Sequence, residues 1–257
     1  MMTRCKVFLG TYVEISIRNQ DGAFKSLALE AINEAFQEIA MVDKLMNIHQ
    51  KDSELSKINR LAPLGITKLH PCIQEVLLIA GDLYRQSNGL FDCTYDPNLD
   101  QDSNSFDDIQ WFGDEYIEYK KPLSINLNGI AKGYAVDKAV QVLENFGIPN
   151  GLVNAGGDLR LFGDAPAAIY IRNPINPLLV NAIGNMKNIA IASSGNYLQC
   201  HLFNPQREST IRTDSSFTVI AQECVYADGL TKVLASLGHS KHPCFFHYNS
   251  IGLIIKG

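Results

Sequence analysis

The chain has 257 residues, of which 46% are hydrophobic and 19% are charged, and its formal net charge is −5 at pH 7. This is the composition of an ordinary globular protein, and a chain of this length can bury a large core. The negative charge and the lack of any Lys or Arg run argue against nucleic acid or an anionic membrane surface as a partner. No apolar stretch approaches the about 18 residues of a membrane-spanning helix.

The N-terminal residues MMTRCKVFLG lack the apolar core of a secretory signal. Cys5 follows a charged residue rather than an apolar run, which is unlike a lipoprotein anchor. We therefore expect a cytoplasmic protein. A chain trimmed at its N-terminus would instead be compatible with the periplasm.

Hydrophobic periodicity predicts the first secondary-structure elements. The segment CKVFLGTYVEISIR alternates around Gly10, which predicts one strand with a bend or bulge. Ser53 suits the start of a short helix, and Asn88 with Gly89 suits the end of the helix that follows. Amphipathic helices are predicted in AFKSLALEAINEAFQEIAMVDKLMN, HPCIQEVLLIAGDLYRQSNG, IAKGYAVDKAVQVLENFG and YADGLTKVLASLG.

The rest of the chain predicts a long loop and a series of strands. LFDCTYDPNLDQDSNSFDDIQWFGDE has no sustained period and predicts a long loop, which is often functional in a compact domain. YIEYKKPLSINL predicts two strands around a Lys-Pro turn. Further strands are predicted in PNGLVNAGGDLRLFG, AAIYIRNP, NIAIASS, FTVIAQ and SIGLIIKG. The mixed order favours an α+β (mixed α/β) fold, and the absence of a linker favours one domain over residues 1–257.

Two glycine-containing turns could hold an anionic ligand. In the first, Gly129 and Gly133 allow close approach to the backbone where a strand is predicted to enter a helix, and Lys132 adds a positive charge. The alternative is a tight corner with a solvated lysine, and the spacing alone leaves both interpretations open. In the second, Gly156 and Gly157 suggest backbone exposed to a ligand, with a β-bulge as the alternative.

Seven segments, in this order along the chain, are similar to motifs of the ApbE family, the FAD:protein FMN transferases. The resemblance runs nearly end to end, and seven ordered motifs are far more specific than any one of them. It implies an ApbE-like fold of mostly antiparallel or mixed sheets with flanking helices and a nucleotide cleft between two lobes. The segments are LGT, MNIHQKDSELSKIN, GLFDCTYDPNL, NLNGIAKGYAVDKA, LVNAGGDLRLFG, IASSGNY and YADGLTKVLASLG.

The resemblance implies an activity and its participants. Members of the family bind FAD, cleave its pyrophosphate with a divalent metal, and transfer FMN to a Ser or Thr hydroxyl of an acceptor protein, releasing AMP. We therefore expect FAD as the substrate, Mg²⁺ as the metal, and an acceptor flavoprotein as the partner. Mg²⁺ suits such a site because it prefers hard oxygen donors, including phosphate oxygens.

The resemblance also implies roles for individual residues. His201 corresponds to the proposed base for the acceptor hydroxyl, and an imidazole with an ordinary pKa of about 6.5 suits that task. The alternative is a loop histidine without a catalytic role. The metal ligands would be the Ala131 carbonyl, the Asp228 carboxylate and Thr231. The FAD-binding residues would be His49, Asp92, Thr94, Gly129, Ile130, Ala131, Lys132, Asp137, Asn154, Gly156, Gly157, Asp158, Ser194 and Gly195.

The chain departs from the family pattern in places that bear on catalysis. The loop before His201 is shorter than usual, and Asn204, Arg207 and Glu208 replace the family's Asp, Thr and Gly. His49 replaces a common aromatic residue.

A further departure lies at the expected metal site. Lys232 replaces the threonine that completes it, and Thr231 is an imperfect stand-in because a helix turns neighbouring residues about 100° apart. Asp228 and Lys232 share a helix face, which predicts an ion pair and weakened Mg²⁺ binding.

Two functional classes therefore stay open. One is an active FAD:protein FMN transferase. The other is a protein that binds FAD or another adenine nucleotide with weak or lost transferase activity.

Overall fold

The computed structural model describes residues 1–18, 24–94, 104–176, 178–195, 202–206 and 209–256. The described helices are α1 (Phe24–Met46), α2 (Glu54–Leu61), α3 (Pro71–Gln86), α4 (Ala131–Asn145), α5 (Cys224–Leu237) and α6 (Pro243–His247), with a 3₁₀ turn at Phe106–Asp108. The described strands are β1 (Met2–Phe8), β2 (Thr11–Ile17), β3 (Thr67–Lys68), β4 (Ile109–Phe112), β5 (Tyr116–Tyr119), β6 (Gly151–Ala155), β7 (Asp158–Phe162), β8 (Ala167–Arg172), β9 (Val180–Met186), β10 (Ile189–Gly195), β11 (Phe203–Asn204), β12 (Ser209–Thr210), β13 (Ser216–Ala221) and β14 (Ile251–Ile255).

The largest sheet has seven strands in the order β1-β2-β6-β7-β10-β13-β14, and each neighbouring pair is antiparallel. The smaller sheets are β3-β5-β4, β8-β9 and β11-β12, also antiparallel. The predicted mixed α/β fold with antiparallel sheets and flanking helices is therefore confirmed.

Helices α4 and α5 lie beside each other and against this sheet, and α1 also packs against α4. Apolar residues from the sheet and from these helices, including Ile15, Phe36, Val136 and Leu230, belong to one continuous buried cluster. The prediction of one domain over residues 1–257 stays a prediction. Within the described ranges, no helix is both long enough and apolar enough to cross a membrane.

The N-terminal segment is a hairpin rather than one bent strand. Leu9 and Gly10 both have positive φ, at 53° and 70°, and Phe8 pairs with Thr11 across them. Two residues with positive φ form the type of tight turn whose twist matches paired strands. The prediction of strand structure on both sides of Gly10 is confirmed, but the chain reverses direction there.

Two segments differ from the predicted loop and strands because their backbone groups find other partners. Residues Ile109–Phe112 of the predicted long loop form β4, which pairs with β5 across Gly113. The predicted strand around Ile125 does not form. Its N–H donates to the Asn59 side-chain oxygen at 2.9 Å, and its carbonyl accepts from the Asn59 amide at 2.9 Å, so a side chain takes the place of a neighbouring strand.

The hairpin of β8 and β9 was predicted incompletely. β8 was predicted as a strand, and within the described ranges its one partner is β9, which the sequence did not predict. Most residues of β9 are exposed, so its sequence lacks the alternation that marks a half-buried strand.

Candidate functional site

The first glycine-containing turn leads into α4. The carbonyl of Leu127 accepts from the N–H groups of Ile130 and Ala131 at 3.0 and 2.8 Å, which closes the turn where the helix begins. Asn126 donates to the Cys93 carbonyl at 2.7 Å, so the segment around Asp92 is held against this turn. The N-cap residue of α4, Ile130, has no side chain that could accept from the first helical turn. Lys132 and Gly133 thus lie in a first helical turn whose backbone donors need other partners.

The second glycine-containing turn joins β6 to β7. Gly156 and Gly157 have φ values of 64° and 107°, which side-chain-bearing residues rarely adopt. The Asn154 side-chain oxygen accepts from the Gly157 N–H at 2.9 Å. A Cβ atom at Gly156 would lie 2.4 Å from the Thr11 hydroxyl oxygen, so the LGT motif at residues 9–11 packs directly on this turn. Asp158 follows as the first residue of β7.

The two turns meet through ion pairs that also include α5. The Lys132 ammonium pairs with the Asp158 carboxylate and lies 3.8 Å from Asp228. Lys232 pairs with the other Asp228 oxygen, as its i,i+4 spacing predicts, and donates to the Asp228 carbonyl at 3.0 Å. We call Lys132, Asp158, Asp228 and Lys232 the lysine–aspartate cluster. Its carboxylates are 2% and 1% exposed, whereas its lysines are 31% and 22% exposed.

The cluster keeps the Asp228 carboxyl ionised. Burial acts to raise its pKa, but the two ammonium groups and the Gly133 N–H, which donates to Asp228 at 3.1 Å, together lower the pKa below the ordinary value. The Asp228 side chain is therefore a carboxylate at neutral pH, with a protein donor on each oxygen.

Thr231 and Ser194 lie beside the cluster and bond to each other. The Thr231 hydroxyl donates to the Asp228 carbonyl at 2.7 Å and lies 2.8 Å from the Ser194 hydroxyl. Because the single Thr231 proton goes to the carbonyl, Ser194 donates the second bond. Thr231 is fully buried, and these contacts tie α5 to β10. Gly195 ends β10 and pairs with Ser216.

Asp137 lies elsewhere on α4 and binds the start of α5. Its carboxylate accepts from the backbone N–H groups of Cys224 and Val225 at 2.9 and 2.8 Å, and from Arg160 at 2.7 Å. Burial raises the pKa of the Asp137 carboxyl despite these three donors. Its expected place in an FAD pocket stays a prediction. A pocket of about 290 Å³ next to Asp137 is lined also by Glu75 and Tyr134, but by no other residue predicted to bind FAD.

The remaining predicted FAD-binding side chains lie outside the cluster. Asp92 accepts from the backbone and hydroxyl of Thr94 at 2.8 and 2.6 Å, and burial raises the pKa of its carboxyl. His49 is exposed in the segment between α1 and α2. Ile130 and Ala131 are buried at the start of α4.

His201, Arg207 and Glu208 lie outside the described residues. Asn204, the nearby departure from the family pattern, is described and buried. Its side chain donates to the Ser236 carbonyl at 3.2 Å and so fastens β11 to α5.

The structure shows where Lys232, already singled out from the sequence, lies, and it adds Arg160, which the sequence did not indicate. A Cβ atom at Gly129 would lie 3.5 Å from the Lys232 side chain, so Lys232 extends along the first glycine-containing turn. The four-residue spacing from Asp228 had indicated Lys232 in the sequence. Arg160 reaches Asp137 from β7. No sequence signal indicated that pair, because the two residues belong to different elements.

Comparisons with known proteins agree with this architecture. FAD:protein FMN transferases of Vibrio cholerae and Chlamydia pneumoniae are 26% and 29% identical to the chain, covering 96% and 75% of it and 84% and 72% of the relatives. The flavin transferase ApbE from Vibrio cholerae has a similar fold, with a TM-score of 0.80, 23% identity and coverage of 98% of this chain and 92% of that one. The ApbE protein from Thermotoga maritima has a TM-score of 0.82 at 22% identity, covering 98% and 93%. The sequence profile of the ApbE family matches residues 9–253, and the chain therefore belongs to the ApbE family.

Proposed function

We propose that this protein is an FAD:protein FMN transferase, which moves FMN from FAD to a Ser or Thr hydroxyl of an acceptor protein and releases AMP. The observation that carries the proposal is the Lys132–Asp158 ion pair, which joins the two glycine-containing turns into one site. Relatives named FAD:protein FMN transferase, which align with most of the chain, support the same activity.

The reaction is a displacement at phosphorus. The acceptor hydroxyl oxygen forms a bond to the phosphorus of the FMN half, and the bond from that phosphorus to the bridging oxygen breaks. AMP leaves with the bonding electron pair, and the hydroxyl proton passes to a base, for which we propose His201. Such transfers depend on positioning and on neutralising charge at the phosphates.

Within this proposal, backbone groups and lysines of the two turns hold the dinucleotide. Gly129 to Lys132 lie at the start of α4, where the positive end of the helix dipole favours an anion. No atom of the described residues lies within 4 Å of the position of an added Cβ at Gly157, which favours close approach of a ligand to its backbone. Asn154 fixes this turn through its bond to Gly157.

The described residues do not fit the Mg²⁺ ion expected at Ala131, Asp228 and Thr231. Both Asp228 oxygens already accept from protein donors, one from the Gly133 N–H and the other from the Lys232 ammonium, and the Lys132 ammonium lies 3.8 Å away. The Thr231 hydroxyl is committed to a carbonyl and to Ser194. Among the described residues, no group of three His, Cys, Asp or Glu could hold a metal ion. We therefore assign no step to a metal.

The test is to incubate the protein with FAD and Ser- or Thr-containing acceptor proteins, with and without Mg²⁺. We expect an FMN mass increment on an acceptor and an equal amount of AMP. His201→Ala should lower the transfer rate by about 10²–10⁴-fold and change FAD affinity only a few-fold. His239→Ala, at an exposed histidine, is the matched control and should keep the parental rate. Absence of FAD binding at high micromolar concentration would overturn the proposal.

A second candidate is an FAD- or adenine-nucleotide-binding protein with weak or lost transferase activity. The Asp228–Lys232 ion pair favours it, because Lys232 occupies the place expected for a metal-site hydroxyl. Saturable FAD binding without AMP release, with every acceptor tested, would support this candidate. The acceptor flavoprotein with its Ser or Thr target and the cytoplasmic location expected from the N-terminal residues stay predictions.

A further inference from the structure

We infer that the ammonium groups of Lys132 and Lys232 supply the positive charge that meets the FAD pyrophosphate, and that the lysine–aspartate cluster excludes a divalent metal ion. The inference rests on the proposed binding of FAD. It goes further by assigning the charge neutralisation to two side chains of this chain.

The first argument is that Asp228 offers no free carboxylate oxygen. One oxygen accepts from Lys232, and the other accepts from Gly133 and lies 3.8 Å from the Lys132 ammonium. A bound Mg²⁺ needs short contacts to several oxygens in octahedral geometry. An ion at Asp228 would compete with these donors for the same two oxygens and would face two like charges within a few ångströms.

The second argument concerns the hydroxyl that lies nearest to Asp228 along α5. Thr231 is fully buried and donates to the carbonyl of Asp228, while its oxygen accepts from Ser194. Using this oxygen as a metal ligand would break the contact between α5 and β10. The Lys232 side chain, in contrast, lies beside Gly129 at the first turn.

The third argument is that the cluster presents its cationic groups outward. Its carboxylates are buried, whereas its lysine side chains are 31% and 22% exposed. Each ammonium has three N–H donors. Lys232 uses two of them, on the carboxylate and carbonyl of Asp228, and Lys132 is hydrogen-bonded to Asp158. Counting partners among the described residues, both lysines therefore keep a donor for phosphate oxygens without leaving their aspartates.

The direct test is to titrate Mn²⁺, as a spectroscopic substitute for Mg²⁺, into the FAD-loaded protein and to follow free Mn²⁺ by electron paramagnetic resonance. We expect no saturable site at micromolar Mn²⁺ in the unmodified chain. Lys232→Thr removes one repelling charge and adds a hydroxyl, and should tighten Mn²⁺ binding by at least about tenfold. Saturable micromolar binding in the unmodified chain would overturn the inference, whatever the variant does.

FAD affinity provides a second readout. With EDTA in place of Mg²⁺, the FAD dissociation constant of the unmodified protein should change less than about twofold, whereas Lys232→Met and Lys132→Met should each weaken binding about tenfold. Lys241→Met, at an exposed lysine, is the matched control and should not change affinity. FAD binding that EDTA abolishes would overturn this inference alone, whereas no FAD binding under either condition would overturn the proposed function.

Discussion

Two buried aspartates join α4 to α5, and they do so reciprocally. Asp137 of α4 accepts from the first two N–H groups of α5, and Asp228 of α5 accepts from the Gly133 N–H in the first turn of α4. Each carboxylate also meets a cation, Arg160 for Asp137 and two lysines for Asp228. The same residue type therefore satisfies helix-terminal donors in both places.

The two sites differ in how firmly their partners are held. The α5 donors that meet Asp137 are backbone groups, which can find another acceptor only if the helix moves. Lys132 and Lys232 are flexible side chains that are partly exposed, so they can reach toward a ligand or solvent. We conclude that the contacts of Asp137 hold α4 and α5 together, whereas the contacts of Asp228 hold the same helices and include cations that can also reach a ligand.

The largest expected effect is at the rigid site. Asp137→Asn replaces one acceptor oxygen by an NH₂ group that faces backbone donors, and it leaves Arg160 without its partner. We expect the free energy of unfolding to fall by about 3 kcal/mol, measured by urea denaturation at pH 7. Glu144→Gln, at an exposed carboxylate of the same helix, should leave the urea midpoint unchanged. Equal effects of the two variants would mean that the contacts of Asp137 do not hold α4 to α5.

Substitution of Gly133, which lies where α4 contacts α5, tests how closely these two helices must approach. A Cβ atom at Gly133 would lie 2.3 Å from the Cys224 carbonyl oxygen, so the backbones would have to separate. Alanine favours a helix by about 1 kcal/mol over glycine, but the clash outweighs this gain and Gly133→Ala should destabilise the protein by about 2 kcal/mol. Gly129→Ala meets its nearest atom at 3.5 Å and should change stability by less than about 0.5 kcal/mol. A thermal melt that ranks them the other way would contradict this packing.

A smaller and pH-dependent effect is expected at the adaptable site. In Asp228→Asn the lysines can turn to solvent and the neutral amide is easier to bury, so we expect a loss of about 1.5 kcal/mol at pH 7. The pKa of Asp228 is lowered in the folded protein, so its contribution is present above the unfolded value of about 3.9 and disappears as the pH falls through the folded pKa. The difference between the two proteins should therefore shrink below about pH 4. Urea denaturation at several pH values measures it, and a difference that grows in acid would contradict the assignment.

The smallest expected effect concerns the hydroxyl next to this site. Thr231→Val keeps the shape of the side chain but removes the bonds to the Asp228 carbonyl and to Ser194. We expect a loss of about 1 kcal/mol in the free energy of unfolding. Thr210→Val, at an exposed position of β12, is the control and should leave the urea midpoint unchanged. No change in Thr231→Val would mean that this hydroxyl does not hold α5 to β10.

Much of the fold could be predicted from local patterns. The periodicity of the helical segments predicted α1, α3, α4 and α5, and Ser53 marked the start of α2 because its hydroxyl accepts the Ser56 N–H. Positive φ at Gly147 and at Asn88 and Gly89 agrees with the predicted helix ends. These features depend on neighbouring residues, so the order of residues along the chain was sufficient to predict them.

The candidate site was only partly predictable, because its contacts join distant segments. The motifs indicated both glycine-containing turns, and the four-residue spacing indicated the Asp228–Lys232 pair, since a helix places such residues on one face. The meeting of Lys132 with both Asp158 and Asp228 depends on the placement of α4 between the β6–β7 turn and α5. The bond of Asn59 to Ile125, which replaces a strand, likewise depends on two segments that only the folded chain brings together. Charge and periodicity along the chain specify which groups are available, whereas the packing of helices on the sheet decides which of them meet.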